Sequence, residues 1–320
     1  MKTVAFYSNQ LCLRGTEIAM YNYADYNEKI LGNKSIIFSI KGANMDAYEK
    51  FSDRFPVHLL SGFHAPTIEN ICEENNVDFF YIIKAGNQDG FMLNNIPSLI
   101  HTVFRFNDPH GHRYAYVSDW LAKDQGYNPE THSVPHICEP FPNSSIDLRE
   151  ELNIPKTATV FGRYGGETEF NVHDAHRAVE EVAKNNKDVY FLFMNTNKFC
   201  DDHERIIHVP STFDLEKKAA FVRASDAMLH ARQYGETFGL AIAEFSLENK
   251  PILTLYNPEA NPEANHFEVL GDKALKWRGF EDLSDMLNDL PSYIKHEDYN
   301  CYKDFNPASV MEKFDKVFLS

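Results

Sequence analysis

The sequence predicts an α/β protein made of two doubly wound, Rossmann-like domains that face each other across a cleft. Its 320 residues are more than one hydrophobic core usually serves. Short apolar runs alternate with amphipathic segments of roughly ten to fifteen residues, a pattern typical of parallel sheets covered by helices. The alternation stops at 139–147, "EPFPNSSID", whose prolines and turn-forming residues indicate a linker, and then restarts.

Before the linker, the apolar runs predict six strands, and the amphipathic segments between them predict three helices. The strands are expected at 3–7, 35–40, 56–60, 78–83, 99–104 and 114–117, and the helices at 16–31, 64–75 and 118–125.

After the linker, the same patterns predict five strands and four helices. The strands are expected at 158–162, 188–193, 205–209, 226–229 and 251–255, and the helices at 172–185, 213–223, 238–248 and 280–290.

The last segment is expected to be one helix that could cross back to the first domain. Its apolar contacts would be Phe305, Val310, Phe314 and Phe318. The predicted domains are 1–143, completed by the helix 298–320, and 144–297.

The composition predicts a soluble, cytoplasmic protein. Hydrophobic residues make up 43% of the chain, yet no window approaches the ~18 uninterrupted apolar residues of a membrane helix, and "MKTVAFYSNQ" lacks a signal peptide's apolar centre. The five cysteines are scattered without a Cys-x-x-Cys pair, which indicates free thiols and neither a disulfide framework nor a zinc site.

The formal net charge of −16 disfavours nucleic acid and anionic membranes as partners. An anionic ligand must therefore be bound by a local site. Ligands of open parallel sheets bind where strands turn into helices, and three such junctions here contain glycine.

The first junction is "LCLRGTEIAM", where Gly15 would let the backbone approach a phosphate and Thr16 could cap the helix. An ordinary helix start is the alternative. The second junction, "VFGRYGGETEFNVHD", places Arg163 beside Gly165 and Gly166, and suits a diphosphate. The alternative is that the two glycines only form a turn.

The third junction lies within "HARQYGETFGLAIAEF", residues 230–245. In the helix expected here, Phe238, Ile242 and Phe245 would face the core of the domain, leaving Thr237 and the nearby amides toward the cleft. Glu236 and Glu244 are eight positions apart, which would be a little over two turns if the segment were all helix, so both carboxylates can point to one side. Carboxylates accept hydrogen bonds from paired sugar hydroxyls.

"GETFGLAIAE" resembles the motif of two glutamates separated by seven residues in the family 4 retaining glycosyltransferases, which have the two-domain GT-B fold. Three further stretches are similar to landmarks of that family, in the right order. They are "RGTE" in the first loop, "YVSDWLAKD" at the end of the first domain, and "FGRY" in the second domain.

The resemblance implies transfer of a hexose from a nucleoside-diphosphate sugar to a hydroxyl of a carbohydrate or glycoconjugate acceptor, with retention and without metal or cofactor. Glu236 would contact hexose hydroxyls, Glu244 the ribose diol, and Arg163 the diphosphate. The remaining donor contacts would come from Gly15, Thr16, Gly165, Thr237, Phe238, Gly239 and Leu240.

The sequence lacks one cationic residue that the family usually carries. Members usually carry a lysine shortly after the Gly-Arg arginine, whereas this region reads "GGETEFN". Either Arg232 or the amides of the Gly165–Gly166 loop replace it, or stabilisation of the leaving group is weaker.

The resemblance also implies an active-site histidine near "HTVFRFNDPHGHRYAYVS". His110, in a Pro-His-Gly turn, is our candidate, with an ordinary turn histidine as the alternative. His101 lies inside a predicted strand and is expected to be a core residue. No metal site is expected, and "CDDHE" at 200–204 is expected to be solvated.

Two alternatives to a transferase stay open. One is a sugar-nucleotide epimerase or phosphorylase on the same fold. The other, motivated by the missing lysine, is a nucleotide-sugar-binding protein with weak or no catalysis. The donor base and the acceptor have no diagnostic signature in the sequence.

Overall fold

The computed structural model describes residues 1–12, 14–259 and 262–320. The chain divides into two compact units, Met1–Ile137 with Phe305–Ser320, and Cys138–Asp304. The linker predicted at 139–147 therefore belongs to the second unit, where Arg223 donates a hydrogen bond of 2.9 Å from Nη1 to the Pro142 carbonyl.

The first unit is a six-stranded parallel sheet in the order β3-β2-β1-β4-β5-β6. Its strands are β1 Thr3–Tyr7, β2 Lys34–Ile40, β3 Val57–Leu60, β4 Phe79–Lys84, β5 Ser98–Thr102 and β6 Arg113–Tyr116. Its helices are α1 Gly15–Lys29, α2 Tyr48–Ser52, α3 Ala65–Glu74, α4 Asp119–Asp124 and α5 Pro129–His132.

The C-terminal segment packs within the first unit. Phe314 lies with its ring centroid 5.4 Å from that of Tyr23 and 5.5 Å from that of Tyr81. The expected helix over 298–320 is too long, because α12 spans only Pro307–Phe314 and continues as a π-helical turn to Leu319. Pro307 has the fixed φ that suits the first helical position, and Asn306 caps this end by accepting from the Ser309 amide.

The second unit has a six-stranded parallel sheet in the order β14-β12-β10-β7-β8-β9 and a separate pair, β11-β13. Its strands are β7 Thr159–Tyr164, β8 Val189–Met194, β9 Ile206–Val209, β10 Ala227–His230, β11 Gly235–Glu236, β12 Ile252–Leu255, β13 Glu263–Ala264 and β14 Ala274–Trp277. Its helices are α6 Leu148–Glu151, α7 His173–Asn185, α8 Leu215–Ala224, α9 Leu240–Leu247, α10 Asn265–Leu270 and α11 Phe280–Asn288.

The core of the second unit explains why its apolar runs form strands. Phe161, Phe191 and Trp277 are buried on the sheet, and α7 and α11 pack on them through small and aliphatic side chains such as Val179 and Leu283. Burying each large side chain contributes about 1.5–3 kcal/mol. Every helix among the described residues is too short or too polar to serve as a membrane span.

Each strand expected from the sequence is present, with ends that move by two residues at most. β14 was missed because it is an edge strand of four residues whose apolar run is broken by Lys276. The two-residue strands β11 and β13 are too short to leave a periodic pattern.

Candidate functional site

The junctions that follow β7 and β10 lie at the switch point of the second sheet. In its strand order, β8 and β9 extend away from β7 on one side, whereas β12 and β14 extend from β10 on the other. Ligands of open parallel sheets bind outside the carboxyl ends of strands at such a reversal. Arg163, at the end of β7, and the segment after His230, at the end of β10, therefore share this edge.

Arg163 is a buried cation bound to neutral oxygens. Its side chain donates from Nη2 to the Gly166 carbonyl at 3.0 Å, and from Nη1 to the Asn195 carbonyl at 3.4 Å and to the Thr196 hydroxyl. The residue is 5% exposed, and burial lowers the pKa of its guanidinium to about 10, so it stays charged at neutral pH. Arg163 thus joins the loops after β7 and β8.

Gly165 lies against the guanidinium of Arg163. A Cβ atom built there would lie 3.1 Å from Nη2 of Arg163, and the Gly165 carbonyl accepts a hydrogen bond of 2.6 Å from Asn195. A side chain at this position would make the guanidinium shift by a few tenths of an ångström.

Arg232 binds three carboxylates. Its Nε lies 2.6 Å from Glu169, and its Nη1 lies 3.2 Å from Glu236 and 3.4 Å from Glu263. The same Nη1 donates to the Gly235 carbonyl at 2.6 Å. The guanidinium therefore fixes the turn between β10 and β11.

Glu236 lies in β11 and is held on both sides. Its Oε1 lies 3.2 Å from Nε2 of His230, whose Nδ1 lies 2.9 Å from the Thr254 hydroxyl. Burial favours the neutral acid, but the hydrogen bond from His230 and the charge of Arg232 outweigh it and lower the pKa of Glu236 to about 2. Because an ionised carboxylate only accepts hydrogen bonds, Nε2 of His230 carries the proton between them.

The helix after this strand begins later than expected. Gly239 has φ 91°, in the left-handed region, and is the N-cap of α9, so Thr237, Phe238 and Gly239 precede the helix that the sequence placed from 238. No side chain caps this end, and first-turn amides have no acceptor within a helix. The amides of Leu240, Ala241 and Ile242, which precede the first intrahelical bond from the Ala243 amide to the Gly239 carbonyl, therefore form an end of the kind that suits an anion.

The three apolar side chains expected to face the core do so, although Phe238 precedes α9. Phe238, Ile242 and Phe245 are all buried. Asn265 and Tyr302 hold the Phe238 carbonyl by hydrogen bonds of 3.0 Å and 3.1 Å, which fix the backbone just before the uncapped end.

Glu244, within α9, has its own partners. Lys218 donates to both of its oxygens, at 2.7 Å and 2.9 Å, and the Tyr164 hydroxyl also donates to it. Burial and the charge of Glu244 raise the pKa of Tyr164 well above its ordinary value, so the phenol stays protonated. The segment from Glu236 to Glu244 is not one continuous helix, because Glu236 belongs to β11, before the helix as expected, and Gly239 interrupts the chain between them.

The first unit holds the remaining predicted residues. Gly15 is the first residue of α1, and Arg14 is its N-cap without a side-chain cap. The capping role expected for Thr16 is therefore wrong, since Thr16 lies inside the helix and donates to Glu17 at 2.9 Å. Glu17 is buried and also accepts from Ser8 at 3.0 Å and from Cys12 at 3.3 Å.

Two histidines of this unit differ in their surroundings. His101 is a buried core residue as expected, with Nδ1 2.7 Å from the Tyr81 hydroxyl and Nε2 2.8 Å from the Val134 carbonyl. His110 is half-buried, with Nδ1 2.7 Å from the Asp108 carbonyl, and within the described ranges its Nε2 has no hydrogen-bond partner.

The acidic stretch at 200–204 is solvated as expected, with Asp201, Asp202 and Glu204 exposed. Across residues 1–12, 14–259 and 262–320, no three His, Cys, Asp or Glu side chains are grouped so that they could hold a metal ion.

Sequence reasoning missed the partners of the two motif glutamates. Lys218, His230 and Tyr164 come from three different elements, and Arg232 is reached by Glu263 from β13 and by Glu169 from the loop after β7. Gly235 was also missed, although its φ of 76° and its place in "YGE" are typical of a residue that only glycine suits.

No family model matches the chain, and no curated protein matches it. Solved structures match it over nearly its whole length. HepE of Anabaena, crystallised with UDP and glucose, gives a TM-score of 0.70 at 12% identity and covers 100% of both chains. WaaG, a glycosyltransferase involved in lipopolysaccharide biosynthesis, gives a TM-score of 0.70 at 12% identity, covering 99% of this chain and 100% of WaaG.

A third structure, assigned as a UDP-N-acetylglucosamine 2-epimerase of Listeria monocytogenes, gives a TM-score of 0.60 at 13% identity. It covers 98% of this chain and 94% of the epimerase chain. Identities this low establish architecture alone. With two parallel six-stranded sheets and alternating helices, the chain has the Rossmann-like GT-B fold.

Proposed function

We propose that the chain is a glycosyltransferase that moves a hexose from a nucleoside-diphosphate sugar to an acceptor hydroxyl. The observation that carries this proposal is the switch point of the second sheet, where Glu236, Arg163 and the uncapped start of α9 share one edge. HepE on the same fold is known in complex with UDP-glucose, which supports a donor of this class.

The donor groups match the chemistry of the edge. The diphosphate is anionic and suits the first-turn amides of α9 together with the charge of Arg163. Hexose hydroxyls suit Glu236, and the ribose diol suits Glu244, since both carboxylates accept hydrogen bonds. The backbone between Glu236 and the first turn of α9 comes from Thr237, Phe238 and Gly239. Donor contacts by Gly15, Thr16 and His110 of the first unit stay predictions.

Stabilisation of the leaving group is assigned to Arg163 and to α9. Arg232 was one replacement considered for the missing lysine, but three carboxylates already surround its guanidinium. The hydrogen bonds of Arg163 go to neutral oxygens, and the carboxylates of Glu236 and Glu169 act on its charge only through space. Preorganised donors of this kind stabilise charge that develops in a transition state.

The low pKa of Glu236, about 2, decides its role. A carboxylate that is ionised at neutral pH cannot donate a proton to the leaving group, so Glu236 positions the hexose and stabilises positive charge on its ring. We propose that the reaction retains the anomeric configuration, with the departing diphosphate oxygen accepting the acceptor's proton. No metal or cofactor takes part in this scheme.

The second candidate is a sugar-nucleotide epimerase. It is favoured by the likeness to the Listeria structure assigned to that activity. An epimerase would convert one sugar nucleotide into an isomer and would leave the glycosidic diphosphate intact at the end of the reaction.

The test follows nucleoside diphosphate released from a panel of sugar nucleotides, with and without carbohydrate acceptors. We expect release by the native chain and a loss of about a hundredfold in Glu236→Gln, because the variant removes a charge that acts on the reacting sugar. Glu297→Gln, at an exposed position, is the matched control and is expected to keep the native rate.

Three results would count against the proposal in different ways. Binding without release under every condition would contradict an enzyme. Release that Glu236→Gln leaves unchanged would contradict the assignment of the site. Conversion of the sugar nucleotide into an isomer without release would favour the epimerase.

A further inference from the structure

Thr254 is a buried residue that reaches the proposed site through a histidine. It lies in β12 and pairs in register with His230, the last residue of β10. Register-paired residues of neighbouring strands project to the same face of a sheet, and here a hydrogen bond of 2.9 Å joins Oγ1 of Thr254 to Nδ1 of His230. Two strands of the sheet, and not a loop, therefore set this contact.

His230 connects Thr254 to the carboxylate of Glu236. Its Nε2 lies 3.2 Å from Oε1 of Glu236, so the imidazole has a partner at each nitrogen. In a neutral imidazole whose Nε2 carries the proton, Nδ1 is an acceptor, and the Thr254 hydroxyl donates to it. The three side chains thus form a chain of hydrogen bonds that runs from β12 through β10 to β11.

This chain of hydrogen bonds is closed to solvent at one end and open at the other. Thr254 is fully buried and His230 nearly so, whereas the side chain of Glu236 is 24% exposed. A ligand at the switch point can therefore contact Glu236, while the Thr254 hydroxyl is out of its reach. Any effect of that hydroxyl on a bound sugar must be transmitted by the histidine.

The two oxygens of Glu236 have different partners. Oε2 lies 3.2 Å from Nη1 of Arg232, whose guanidinium also contacts two other carboxylates. Oε1 is bonded to His230, whose other nitrogen is held by Thr254. A β-branched threonine has a restricted χ1, so it holds the imidazole in a defined orientation. The histidine in turn restricts rotation of the Glu236 carboxylate.

We propose that Thr254 is a positioning residue that orients Glu236 for the hexose through His230. This inference rests on the proposed function, since it takes Glu236 as the group that contacts the hexose. A carboxylate held in one orientation presents its remaining lone pairs in a fixed direction, and buried side chains behind a contact residue keep it in that geometry. The alternative is a core threonine whose hydroxyl only satisfies a buried imidazole.

The test measures kcat for release of UDP from UDP-glucose, and the Kd of UDP by isothermal titration calorimetry. Thr254→Val is nearly isosteric and removes the hydroxyl, whereas Thr254→Ser keeps it. We expect Thr254→Val to lower kcat by about three- to tenfold, the effect of one hydrogen bond between neutral groups, and Thr254→Ser to stay within about twofold. UDP has no hexose, so its Kd should be unchanged in both variants. Thr159→Val, at the start of β7 and the opposite edge of the sheet, is the control and should keep the native kcat.

Two variants of His230 test the intermediate step. His230→Gln keeps an amide that can donate to Glu236, whereas His230→Met has a similar length and no donor. We expect His230→Met to lower kcat by at least about tenfold, because the lost hydrogen bond goes to a charged group, and His230→Gln to recover most of this loss. Thr254→Val should add little to the loss in His230→Met, since the threonine acts only through the imidazole.

The outcomes separate the role of Thr254 from the proposed function. A native kcat in Thr254→Val, an equal loss in Thr254→Ser, or additive losses in the double variant would overturn the role, while a slow Glu236→Gln variant would leave the proposed function intact. Weaker binding of UDP by Thr254→Val would place the defect outside the hexose contact and would overturn the role as well. Failure of the native chain both to bind UDP and to release it from UDP-glucose would overturn the uridine-nucleotide donor site itself and, with it, the inference.

Discussion

At the scale of single residues, Lys218 holds the carboxylate of Glu244 in one orientation. It contacts both carboxylate oxygens, and its Nζ lies 4.9 Å from the ring centroid of Tyr164, so the lysine is placed by two neighbours. A carboxylate held in one orientation presents its remaining lone pairs in a fixed direction. If Glu244 binds the ribose, Lys218 is the residue that positions it.

Lys218→Met is therefore expected to reduce discrimination between ribose and deoxyribose. The native chain should bind UDP about tenfold more tightly than 2′-deoxy-UDP, because the missing hydroxyl removes a hydrogen bond to a charged group. The variant should lower this ratio to about two or three, measured by calorimetry. Lys217→Met, at the exposed preceding residue, should keep it, and an unchanged ratio in Lys218→Met would contradict the role.

At the scale of elements, the pair β11-β13 holds the motif in place. Gly235 has φ 76°, and a Cβ atom there would lie 1.9 Å from the Glu263 carbonyl oxygen. Both the backbone conformation and the close approach of β13 therefore require glycine. This pairing sets the position of Glu236, the next residue along β11.

Gly235→Ala should destabilise the second unit by more than about 3 kcal/mol, because it adds a steric clash to an unfavourable φ. Gly271→Ala is the matched control, since Gly271 has φ 58° and nothing within 4 Å of the added methyl. It should cost only about 1–2 kcal/mol. Equal losses would show that the contact with Glu263 is not tight.

Urea unfolding can be followed for the second unit alone. Trp277 is fully buried there, and Trp120, the other tryptophan, lies in the first unit. Placing both glycine variants in a Trp120→Phe background assigns the fluorescence change to Trp277. The fluorescence then reports on the unit that contains both glycines, and a single cooperative transition is the condition for converting it into a free energy of unfolding.

The sequence was informative about elements and less so about side-chain partners. Runs such as 3–7 and 188–193 predicted their strands because a buried parallel strand is apolar along its whole length. The start of α9 was misplaced, since Gly239 adopts a left-handed conformation that periodicity does not encode. His230 and Lys218 contact the motif through tertiary packing, which spacing along the chain does not determine.

At the scale of the whole molecule, a chain of net charge −16 is proposed to bind an anionic nucleotide. The fold allows this by placing the positive charge of Arg163 and the N–H groups of α9 at one sheet edge. There they attract an anion, although the net charge of the chain repels it. The switch point of the second sheet, and not the overall charge, is thus the feature on which the proposed activity depends.

The most direct test of this claim is a crystal structure of the full chain soaked with UDP-glucose. We expect the diphosphate at the first turn of α9, the ribose within hydrogen-bonding distance of Glu244, and the hexose beside Glu236. A nucleotide bound at another edge of the chain, or an empty switch point under conditions where solution binding is measured, would contradict it.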